Sequence, residues 1–469
     1  MSGRRHRSRD SAAPAAGRFG TGDTIVAIAT APGRAAISVV RLSGAGAEKI
    51  AKRCVSTWPA RARELTRCTV HAVDDPTRRI DDALVVVFPA PHSYTGETIV
   101  EVHGHGGVHI PAAMQAAFVA AGARPALAGE FTERAVLNGK LDLVGAEAIS
   151  EVIDARTHAS HRSAMIAMSG TLARQYADLR QEAIGVEALI AYDIDFPDED
   201  HGPIARERVD QAATELAGKL RALISTAPTV VLAREGAVVV LAGPPNAGKS
   251  SLLNALIGEA RVIVSDEPGT TRDAVEVLVD ADPWPIRLVD TAGLRDAAGT
   301  VERLGIEVSE RYLRGADVVV VCADSADALT DAMRRIKALS GVQVISVLTK
   351  ADLRDATNAI ANADAISVSA VSGTGMEELW RLISHAVALR AGDPAGLPTP
   401  VASARQRAAL ELAAAELELF RDRWRDGTLP APVAATHLRS AVGALDNLIG
   451  AIDIDEVFSR VFATFCVGK

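Results

Sequence analysis

Cysteine is scarce in this chain, and its scarcity restricts the class of protein. Four cysteines occur in 469 residues, without the paired spacing of a zinc site; they are Cys54, Cys68, Cys322 and Cys466. This usage argues against a disulfide framework and is typical of a reducing cytosol. No apolar run approaches the roughly 20 residues that cross a bilayer, and no apolar core follows the basic residues near the start. We therefore expect a cytoplasmic location, with neither a signal peptide nor a membrane contact.

Positive charge is also in deficit. The chain has 50 lysines and arginines against 59 aspartates and glutamates, a net charge of −9. Bulk electrostatics argue against a non-specific coat for nucleic acid, so a specific RNA contact would need a local basic patch or help from a partner. The proportions of hydrophobic (48%) and charged (23%) residues are ordinary for a globular protein. The length predicts about three domains.

A glycine-rich loop marks the middle of the sequence. The β-branched run at 238–241 predicts a buried strand, which leads into Gly243-x-x-x-x-Gly248-Lys249-Ser250 and then into a helix with a leucine stripe. The glycines allow consecutive backbone N–H groups to surround a phosphate at the positive end of the helix dipole. Lys249 is predicted to reach the β- and γ-phosphates, and the Ser250 hydroxyl to ligate Mg²⁺. The stretch therefore predicts a nucleotide-phosphate site.

The segment Thr349-Lys350-Ala351-Asp352 follows another apolar run and indicates which base is bound. An aspartate at a strand end accepts hydrogen bonds from both the ring N–H and the exocyclic amine of guanine. Adenine lacks that donor pair and would leave the carboxylate unpaired. Ser369 and Ala370 follow a later short strand and fit the loop whose backbone contacts the guanine oxygen. We therefore predict that the nucleotide is GTP.

Between these motifs lie the residues expected near Mg²⁺ and the γ-phosphate. Asp290, in Asp290-Thr291-Ala292-Gly293, ends a predicted strand and is expected in the outer coordination shell of Mg²⁺, with the Gly293 amide near the γ-phosphate. Thr271, in Gly269-Thr270-Thr271, is expected to complete the Mg²⁺ coordination. Leu294 occupies the place where Ras-like switches carry the glutamine that orients the attacking water. Because leucine cannot polarise water, catalysis must come from another group.

The flanking regions have different patterns. Residues 22–139 predict an α+β domain, and residues 1–21 predict a disordered basic tail. Helical spacing in 140–235 and 391–469 predicts one helical domain, interrupted by the nucleotide domain at 236–390. The elements expected in the α+β domain are strands at 24–29, 36–42, 83–88 and 98–103 and a helix at 110–121. An insertion of this kind would couple the nucleotide state to the helical scaffold through two attachment points.

Several short motifs together resemble one family. They are Pro32-Gly33-Arg34, Ser93-Tyr94-Thr95-Gly96-Glu97, Gly104-His105-Gly106-Gly107, Gly129-Glu130-Phe131-Thr132-Glu133-Arg134-Ala135, Asn138-Gly139-Lys140-Leu141-Asp142, Asp195-Phe196-Pro197 and Cys466-Val467-Gly468-Lys469. With the inserted nucleotide domain, they make residues 22–469 similar to the MnmE (TrmE) family of tRNA-modification GTPases, within the TrmE-Era-EngA-like GTPase superfamily. The resemblance implies a multidomain α/β protein. Its parts are an N-terminal α+β domain that binds tetrahydrofolate and dimerises, a discontinuous all-α helical domain and an inserted Ras-like P-loop GTPase domain.

The resemblance also implies an activity on tRNA. Family members act as homodimers in a heterotetramer with the FAD-dependent protein MnmG (GidA), and form 5-carboxymethylaminomethyl or aminomethyl uridine at the wobble position. A tetrahydrofolate derivative (5-formyl- or methylene-tetrahydrofolate) supplies the one-carbon unit, and by resemblance Arg41, Glu101, Lys140 and Lys469 contact it. Arginine and lysine suit the acidic tail of folate, and a carboxylate suits its pterin. The Cys466 thiol would lie near the folate, where it is a candidate for chemistry.

The resemblance also accounts for the missing glutamine, through a potassium ion that stands where an arginine finger would place its charge and a glutamate that orients the water. Family members dimerise through their GTPase domains when potassium binds near the phosphates, and the implied ligands here are Asn246, Ser265, Glu267 and Thr270. The ion offsets negative charge that develops in the transition state, and Glu302 is implied to orient the attacking water through a bridging water. The full set of residues implied in GTP binding is Asn246, Ala247, Gly248, Lys249, Ser250, Ser251, Ser265, Asp266, Glu267, Pro268, Gly269, Thr270, Thr271, Asp290, Thr291, Ala292, Gly293, Thr349, Lys350, Ala351, Asp352, Ser369 and Ala370.

Two alternatives and one departure from the family pattern stay open at this point. A ribosome-assembly GTPase that binds rRNA would share the nucleotide domain, although it would normally carry a basic RNA-binding module. A folate-dependent one-carbon transferase with a vestigial switch would keep the N-terminal site and tolerate loss of Lys249. Thr349 stands where the family usually has asparagine, which predicts a weaker hydrogen bond without a change of base.

Overall fold

The structure, a computed structural model, describes residues 22–195, 205–259, 262–263, 275–290, 312–339, 342–353, 365–392, 403–426, 431–450 and 468. The chain divides into two compact units, one formed by residues 1–147 and 449–469 and the other by residues 148–448. The predicted domain boundaries at 139, 235 and 390 remain predictions.

The described residues form strands and helices with the following bounds. The strands are β1 (Ile25–Ile28), β2 (Ile37–Ser43), β3 (Thr66–His71), β4 (Arg79–Phe88), β5 (Ile99–His105), β6 (Arg124–Pro125), β7 (Ala237–Ala242), β8 (Val262–Ile263), β9 (Val275–Val279), β10 (Ile286–Asp290), β11 (Val318–Ala323), β12 (Gln343–Leu348) and β13 (Ala365–Ser367). The helices are α1 (Ala47–Ala51), α2 (His109–Ala120), α3 (Glu130–Leu137), α4 (Leu143–Asp154), α5 (His158–Met168), α6 (Thr171–Asp195), α7 (Arg206–Ile224), α8 (Ala227–Glu235), α9 (Lys249–Glu259), α10 (Ala326–Leu339), α11 (Met376–Ala391), α12 (Ala404–Asp426) and α13 (Ala431–Ile449).

The first unit contains a six-stranded sheet in the order β3-β4-β5-β2-β1-β6. Neighbouring strands are antiparallel except β1 and β6, which are parallel. Alternate residues of β2, β4 and β5 point to one face, where valines and leucines form a core with Met114 and Phe118 of α2. The four predicted strands and the predicted helix are confirmed, with β4 beginning at Arg79 instead of Ala83. The sequence did not reveal β3, because its arginine and histidine dilute the apolar alternation.

The helical part of the second unit joins segments from both sides of the inserted domain. Helix α7 packs against α6 and α12. The buried Tyr176 hydroxyl of α6 donates to Gln406 Oε1 of α12 (3.1 Å). The Trp424 indole N–H of α12 donates to the Arg206 carbonyl oxygen (3.1 Å), and the Arg206 guanidinium lies 4.5 Å from the centre of the Trp424 ring. The discontinuous helical domain is therefore confirmed.

One stretch of the described residues, Arg206–Glu235, has the length and apolar composition of a membrane-spanning helix. This stretch contains α7, whose apolar residues Val209, Leu216 and Leu220 are buried. These apolar residues lie where α7 packs against α6 and α12. A core helix of a helical domain can have the same length and apolar composition as a membrane-spanning helix, so this packing accounts for them.

The inserted α/β domain has a seven-stranded sheet in the order β13-β12-β11-β7-β10-β9-β8. The five strands from β13 to β10 are parallel, whereas β9 and β8 are antiparallel to their neighbours. Residues of α9 and α11 cover one face of the sheet and residues of α10 cover the other, so β11, with six consecutive buried residues, lies in the middle of the core. In such a sheet, loops at the carboxyl ends of the parallel strands lie along one edge.

Candidate functional site

The loop after β7 has a shape that its glycines dictate. Gly243 has a φ of +145°, and a Cβ atom there would lie 2.0 Å from the Cys322 carbonyl oxygen of β11. No side chain fits that space, so the first glycine of the motif is required by close backbone packing as well as by its φ. Asn246 and Gly248 also have positive φ values, of 59° and 79°. The loop thus reverses direction tightly between β7 and α9.

Lys249 and Ser250 begin α9 and point toward groups at the same edge of the sheet. The Lys249 ammonium donates to the carbonyl oxygens of Gly243 (3.2 Å) and Pro244 (2.9 Å), so the loop curves around it. The Ser250 hydroxyl donates to Asp290 Oδ2 (2.6 Å) at the end of β10, although the two residues are 40 positions apart. A hydroxyl and a carboxylate are hard oxygen donors of the kind that Mg²⁺ prefers. The residues present therefore fit a magnesium ion beside the phosphates.

The predicted base-binding residues meet at the ends of β12 and β13. The Ser369 hydroxyl donates to Asp352 Oδ1 (2.5 Å), and the Ala351 amide donates to the Val368 carbonyl oxygen (3.0 Å). The backbone amides of Val371 and Ser372 donate to Ser369 Oγ at 3.3 and 3.1 Å. This network holds one oxygen of the Asp352 carboxylate and orients the group, while a carboxylate has lone pairs left for further donors.

Lys350 and Thr349 connect this loop to neighbouring segments. The Lys350 ammonium donates to Asp324 Oδ2 (3.1 Å), which follows β11. The buried Thr349 hydroxyl donates to the Ala247 carbonyl oxygen of the phosphate loop (2.7 Å) and lies 3.1 Å from the Ala323 carbonyl oxygen. In this structure, the threonine that replaces the usual asparagine joins the base loop to the phosphate loop.

Replacing Thr349 with valine should therefore weaken GTP binding while leaving the base preference unchanged. The change leaves the buried Ala247 carbonyl oxygen without this donor, a loss of about 1–3 kcal/mol, which corresponds to about 5- to 150-fold in the dissociation constant. Isothermal titration with GTP and ATP measures both quantities. Thr330→Val on α10 is the matched control, since its hydroxyl donates to Ala326 within its own helix. Equal GTP affinity for both variants would contradict the assigned link.

The four residues implied in folate binding belong to the first unit, and the structure brings two of them together. The register of β2 and β5 places Arg41 opposite Glu101. Arg41 Nε and Nη2 each lie 2.8 Å from Glu101 Oε1, and His103 Nε2 lies 3.1 Å from Glu101 Oε2. Burial raises the pKa of the Glu101 carboxyl, but hydrogen bonds from His103 and Arg41 and the Arg41 charge outweigh burial and lower that pKa from its ordinary value. The carboxylate is thus ionised and able to accept hydrogen bonds from further donors.

Lys140 packs against the loop that precedes β5. A Cβ atom on Gly96 would lie 3.2 Å from Lys140 Cγ and 3.0 Å from Asn138 Cβ. The Asn138 side-chain amide donates to the Thr95 carbonyl oxygen (2.7 Å). The described contacts do not join Lys140 to Arg41 or Glu101, so only its packing against Gly96 is established here.

The sequence did not point to several partners that the structure provides. They are Asp324 for Lys350, Ser369 Oγ for Asp352, and His103 for Glu101. The first two pairs lie too far apart in sequence to have been revealed, whereas Glu101 and His103 are two positions apart in a predicted strand, a spacing that places both side chains on one face of the sheet. The predicted site residues that lie outside the described part of the chain are Ser265, Asp266, Glu267, Pro268, Gly269, Thr270, Thr271, Thr291, Ala292, Gly293, Glu302, Cys466 and Lys469.

Comparisons with known proteins agree along almost the whole chain. A family model described as the MnmE helical domain matches residues 143–466, and one described as the GTP-binding protein TrmE N-terminus matches residues 24–140. The tRNA modification GTPase MnmE of Aquifex aeolicus is 36% identical over 453 residues, which are 95% of this chain and 100% of that protein. The protein of that name from Methylobacterium radiotolerans is 39% identical over 454 residues, 95% of this chain and 99% of its own length. Among solved structures, the G domain of the T. maritima iron transporter FeoB is 27% identical and covers 32% of this chain and 98% of its own, with a TM-score of 0.25.

Proposed function

The chain belongs to the MnmE family of tRNA modification GTPases, and we propose that it couples GTP hydrolysis to formation of 5-carboxymethylaminomethyl or aminomethyl uridine at the tRNA wobble position. One observation supports the GTPase part of the proposal. Lys249, Ser250 and Asp290 lie close together at one edge of the sheet, and Asp352 and Ser369 lie at the same edge. The side chains that would bind the phosphates, the magnesium ion and the base therefore lie along one edge of the sheet, at the carboxyl ends of its parallel strands.

Roles at the nucleotide follow from these positions. The backbone amides of the phosphate loop and the Lys249 ammonium bind the phosphates, and Ser250 with Thr271 holds Mg²⁺. Asp352 accepts hydrogen bonds from guanine, and the loop of Ser369 and Ala370 contacts its oxygen. When bound beside Ser250, Mg²⁺ would supply charge neutralisation at the β- and γ-phosphate oxygens.

Hydrolysis without a switch glutamine calls for another group that orients the attacking water, and the transferring phosphoryl group needs a source of charge stabilisation. We assign this to potassium, held by Asn246 together with Ser265, Glu267 and Thr270, and assign orientation of the attacking water to Glu302. Asn246 supports the assignment because it is exposed and has a left-handed backbone in the phosphate loop. Such an ion offsets charge on the transferring phosphoryl group without a proton transfer.

Exchanging potassium for sodium should lower the rate of GTP hydrolysis by about tenfold or more, because ligands that suit the larger potassium ion bind sodium poorly and the preorganised charge at the transition state is then lost. The measurement is steady-state turnover in buffers of equal ionic strength, with GTP affinity measured in each. Affinity should change little, since the phosphate loop and the base loop stay intact. Equal turnover in the two salts would contradict the role of the ion.

The one-carbon part of the proposal concerns the first unit. The Arg41–Glu101 pair, with His103 behind the carboxylate, fits recognition of a pterin, and Lys140 with Lys469 suits the acidic tail of a tetrahydrofolate derivative. Bound folate would supply the carbon unit. Cys466 stays a candidate for chemistry. We further propose that the chain is a cytoplasmic homodimer that acts with the FAD-dependent protein MnmG on tRNA.

Mass spectrometry of tRNA nucleosides tests the function directly. In a strain that lacks this chain, the substituent on carbon 5 of the wobble uridine should disappear and should return when the chain is restored. An unchanged wobble uridine accompanied by a ribosome-assembly defect would instead favour the alternative of a GTPase that binds rRNA.

A further inference from the structure

The loop at 93–97, which we call the pre-β5 loop, contacts two of the residues assigned to the one-carbon ligand. On one side, the Arg41 guanidinium lies 5.9 Å from the centre of the Tyr94 ring. On the other side, a Cβ atom on Gly96 would lie 3.2 Å from Lys140 Cγ and 3.4 Å from Lys140 Cδ. The loop therefore connects Arg41, which pairs with Glu101, to Lys140.

Helix α3, with the residue that follows it, holds the pre-β5 loop through three polar pairs. The pairs are Tyr94 Oη with Thr132 Oγ1 (2.8 Å), the Thr95 carbonyl oxygen with Asn138 Nδ2 (2.7 Å), and Glu97 Oε2 with Arg134 Nη1 (3.1 Å). A fourth contact comes from β2, where the Ser43 hydroxyl donates to Glu97 Oε2 at 2.8 Å. Because the partners belong to a helix and a strand, the loop is fixed by rigid elements on two sides.

Arg134 is in turn fixed by buried charges. Its side chain is 8% exposed, and its Nη2 donates to Asp23 Oδ1 (2.6 Å) and to Glu130 Oε1 (3.0 Å). The wholly buried Glu130 side chain also accepts from Arg124 Nη2 at 2.6 Å. Burial lowers the pKa of Arg134, but the charge of Glu97 and the hydrogen bonds to Glu130 and Asp23 outweigh burial and raise that pKa. The guanidinium is thus charged, and moving it would leave buried carboxylates unpaired.

Gly96 determines how closely Lys140 approaches the loop. Its φ is +79°, and a Cβ atom there would lie 3.0 Å from Asn138 Cβ as well as against the Lys140 side chain. Asn138 cannot retreat freely, because its side-chain amide is bonded to the Thr95 carbonyl oxygen. A side chain at position 96 would therefore push Lys140 away from the loop.

We propose that the pre-β5 loop is a spacer that sets the separation between the Arg41–Glu101 pair and Lys140, with Gly96 and Glu97 as its positioning residues. The inference rests on the proposed function for its ligand, a reduced folate, which has a pterin at one end and an acidic tail at the other. The pair suits the pterin and the lysine suits the tail, so binding both ends at once requires a set distance between them. A spacer that is fixed before the ligand arrives lowers the entropic cost of binding.

Chymotryptic cleavage after Tyr94 tests whether the loop is fixed. The measured quantity is the cleavage rate at this bond divided by the rate for an unstructured peptide of the same sequence. Glu97→Gln removes the charge that Arg134 holds and should raise this ratio by about tenfold or more, because proteolysis follows the population of the open loop. Glu48→Gln on α1 is the matched control, since Glu48 forms an exposed pair with Lys52, and it should leave the ratio unchanged. An unchanged ratio in Glu97→Gln would contradict the spacer.

Binding of 5-formyltetrahydrofolate, measured by isothermal titration, tests the separation itself. Gly96→Ala should weaken binding by about tenfold in the wild-type chain, but by less than about twofold in a chain that carries Lys140→Ala, because the added methyl group acts through the lysine. A merely structural defect would weaken binding equally in both chains. Gly122→Ala is the matched control and should leave the affinity unchanged. Its φ is +113°, but a Cβ atom there would meet nothing within 4 Å.

The outcomes separate the spacer from the proposed function. If the wild-type protein binds folate and Gly96→Ala weakens binding equally in both chains, the spacer is wrong and the function stands. Glu97→Gln adds no atom to the packed loop, so it should weaken folate binding even if Gly96→Ala fails to fold, and full affinity in Glu97→Gln would overturn the spacer. If the wild-type protein binds no folate, the folate part of the proposed function fails, yet faster cleavage of Glu97→Gln still supports a loop that fixes Lys140 relative to Arg41.

Discussion

Replacing Asp352 with asparagine is expected to lower the affinity for GTP by about 10⁴-fold and to make xanthosine triphosphate the preferred nucleotide. The Ser369 hydroxyl holds Asp352 Oδ1 at 2.5 Å, so the carboxylate has a fixed orientation in which to accept the two guanine donors. Asparagine replaces one acceptor with an N–H donor, which faces the exocyclic amine of guanine. Xanthine carries an oxygen in place of that amine and restores the pair. A bound base would cover this polar mismatch, and a covered mismatch is strongly discriminated against.

Direct titration of GTP and of xanthosine triphosphate into the wild-type chain and into the variant measures the exchange of preference. Asp331→Asn is the matched control, because Asp331 lies on the exposed side of α10 and pairs only with Arg334 among the described residues. It should leave both affinities unchanged, since exposed ion pairs contribute little. If Asp352→Asn still preferred GTP to xanthosine triphosphate, the assignment of Asp352 to the base would be wrong.

Removing the Lys249 ammonium should lower the rate of GTP hydrolysis by about 10²–10³-fold and weaken GTP binding as well. The ammonium is held by two loop carbonyls at 3.2 and 2.9 Å, so it is fixed at the centre of the phosphate loop before nucleotide arrives. Lys249→Ala removes this preorganised charge and leaves the two carbonyl oxygens without a cation. Turnover of GTP and titration with a non-hydrolysable analogue measure the two effects.

Two comparison variants make the result for Lys249→Ala specific. Lys337→Ala removes an exposed lysine in the last turn of α10 and should leave turnover unchanged. Glu302→Ala should lose hydrolysis but keep binding, because Glu302 is assigned to the attacking water alone. In cells, Lys249→Ala should also lose the wobble modification. Normal modification in that strain would favour a one-carbon transferase with a vestigial switch.

The sequence alone determined the local elements of the nucleotide site. A β-branched strand, a loop with glycines at fixed spacing and a leucine-striped helix are encoded by neighbouring residues, so β7, the loop and α9 were predicted in order. The requirement for glycine at Gly243 has a tertiary cause, because a Cβ atom there would lie 2.0 Å from the Cys322 carbonyl oxygen, yet the motif reveals it. Resemblance to the family supplied the folate and potassium assignments, which remain proposals.

Only the tertiary structure decided which distant groups meet. The parallel order of β7, β10, β11, β12 and β13 brings Ser250 to Asp290 and Thr349 to Ala247. The antiparallel register of β2 and β5 sets Arg41 against Glu101, and packing at the end of β1 draws in Gly468. The physical reason is that periodicity and backbone preference act over a few residues. Contacts between residues 40 to 427 positions apart depend instead on strand register and on side-chain packing, which no short stretch encodes.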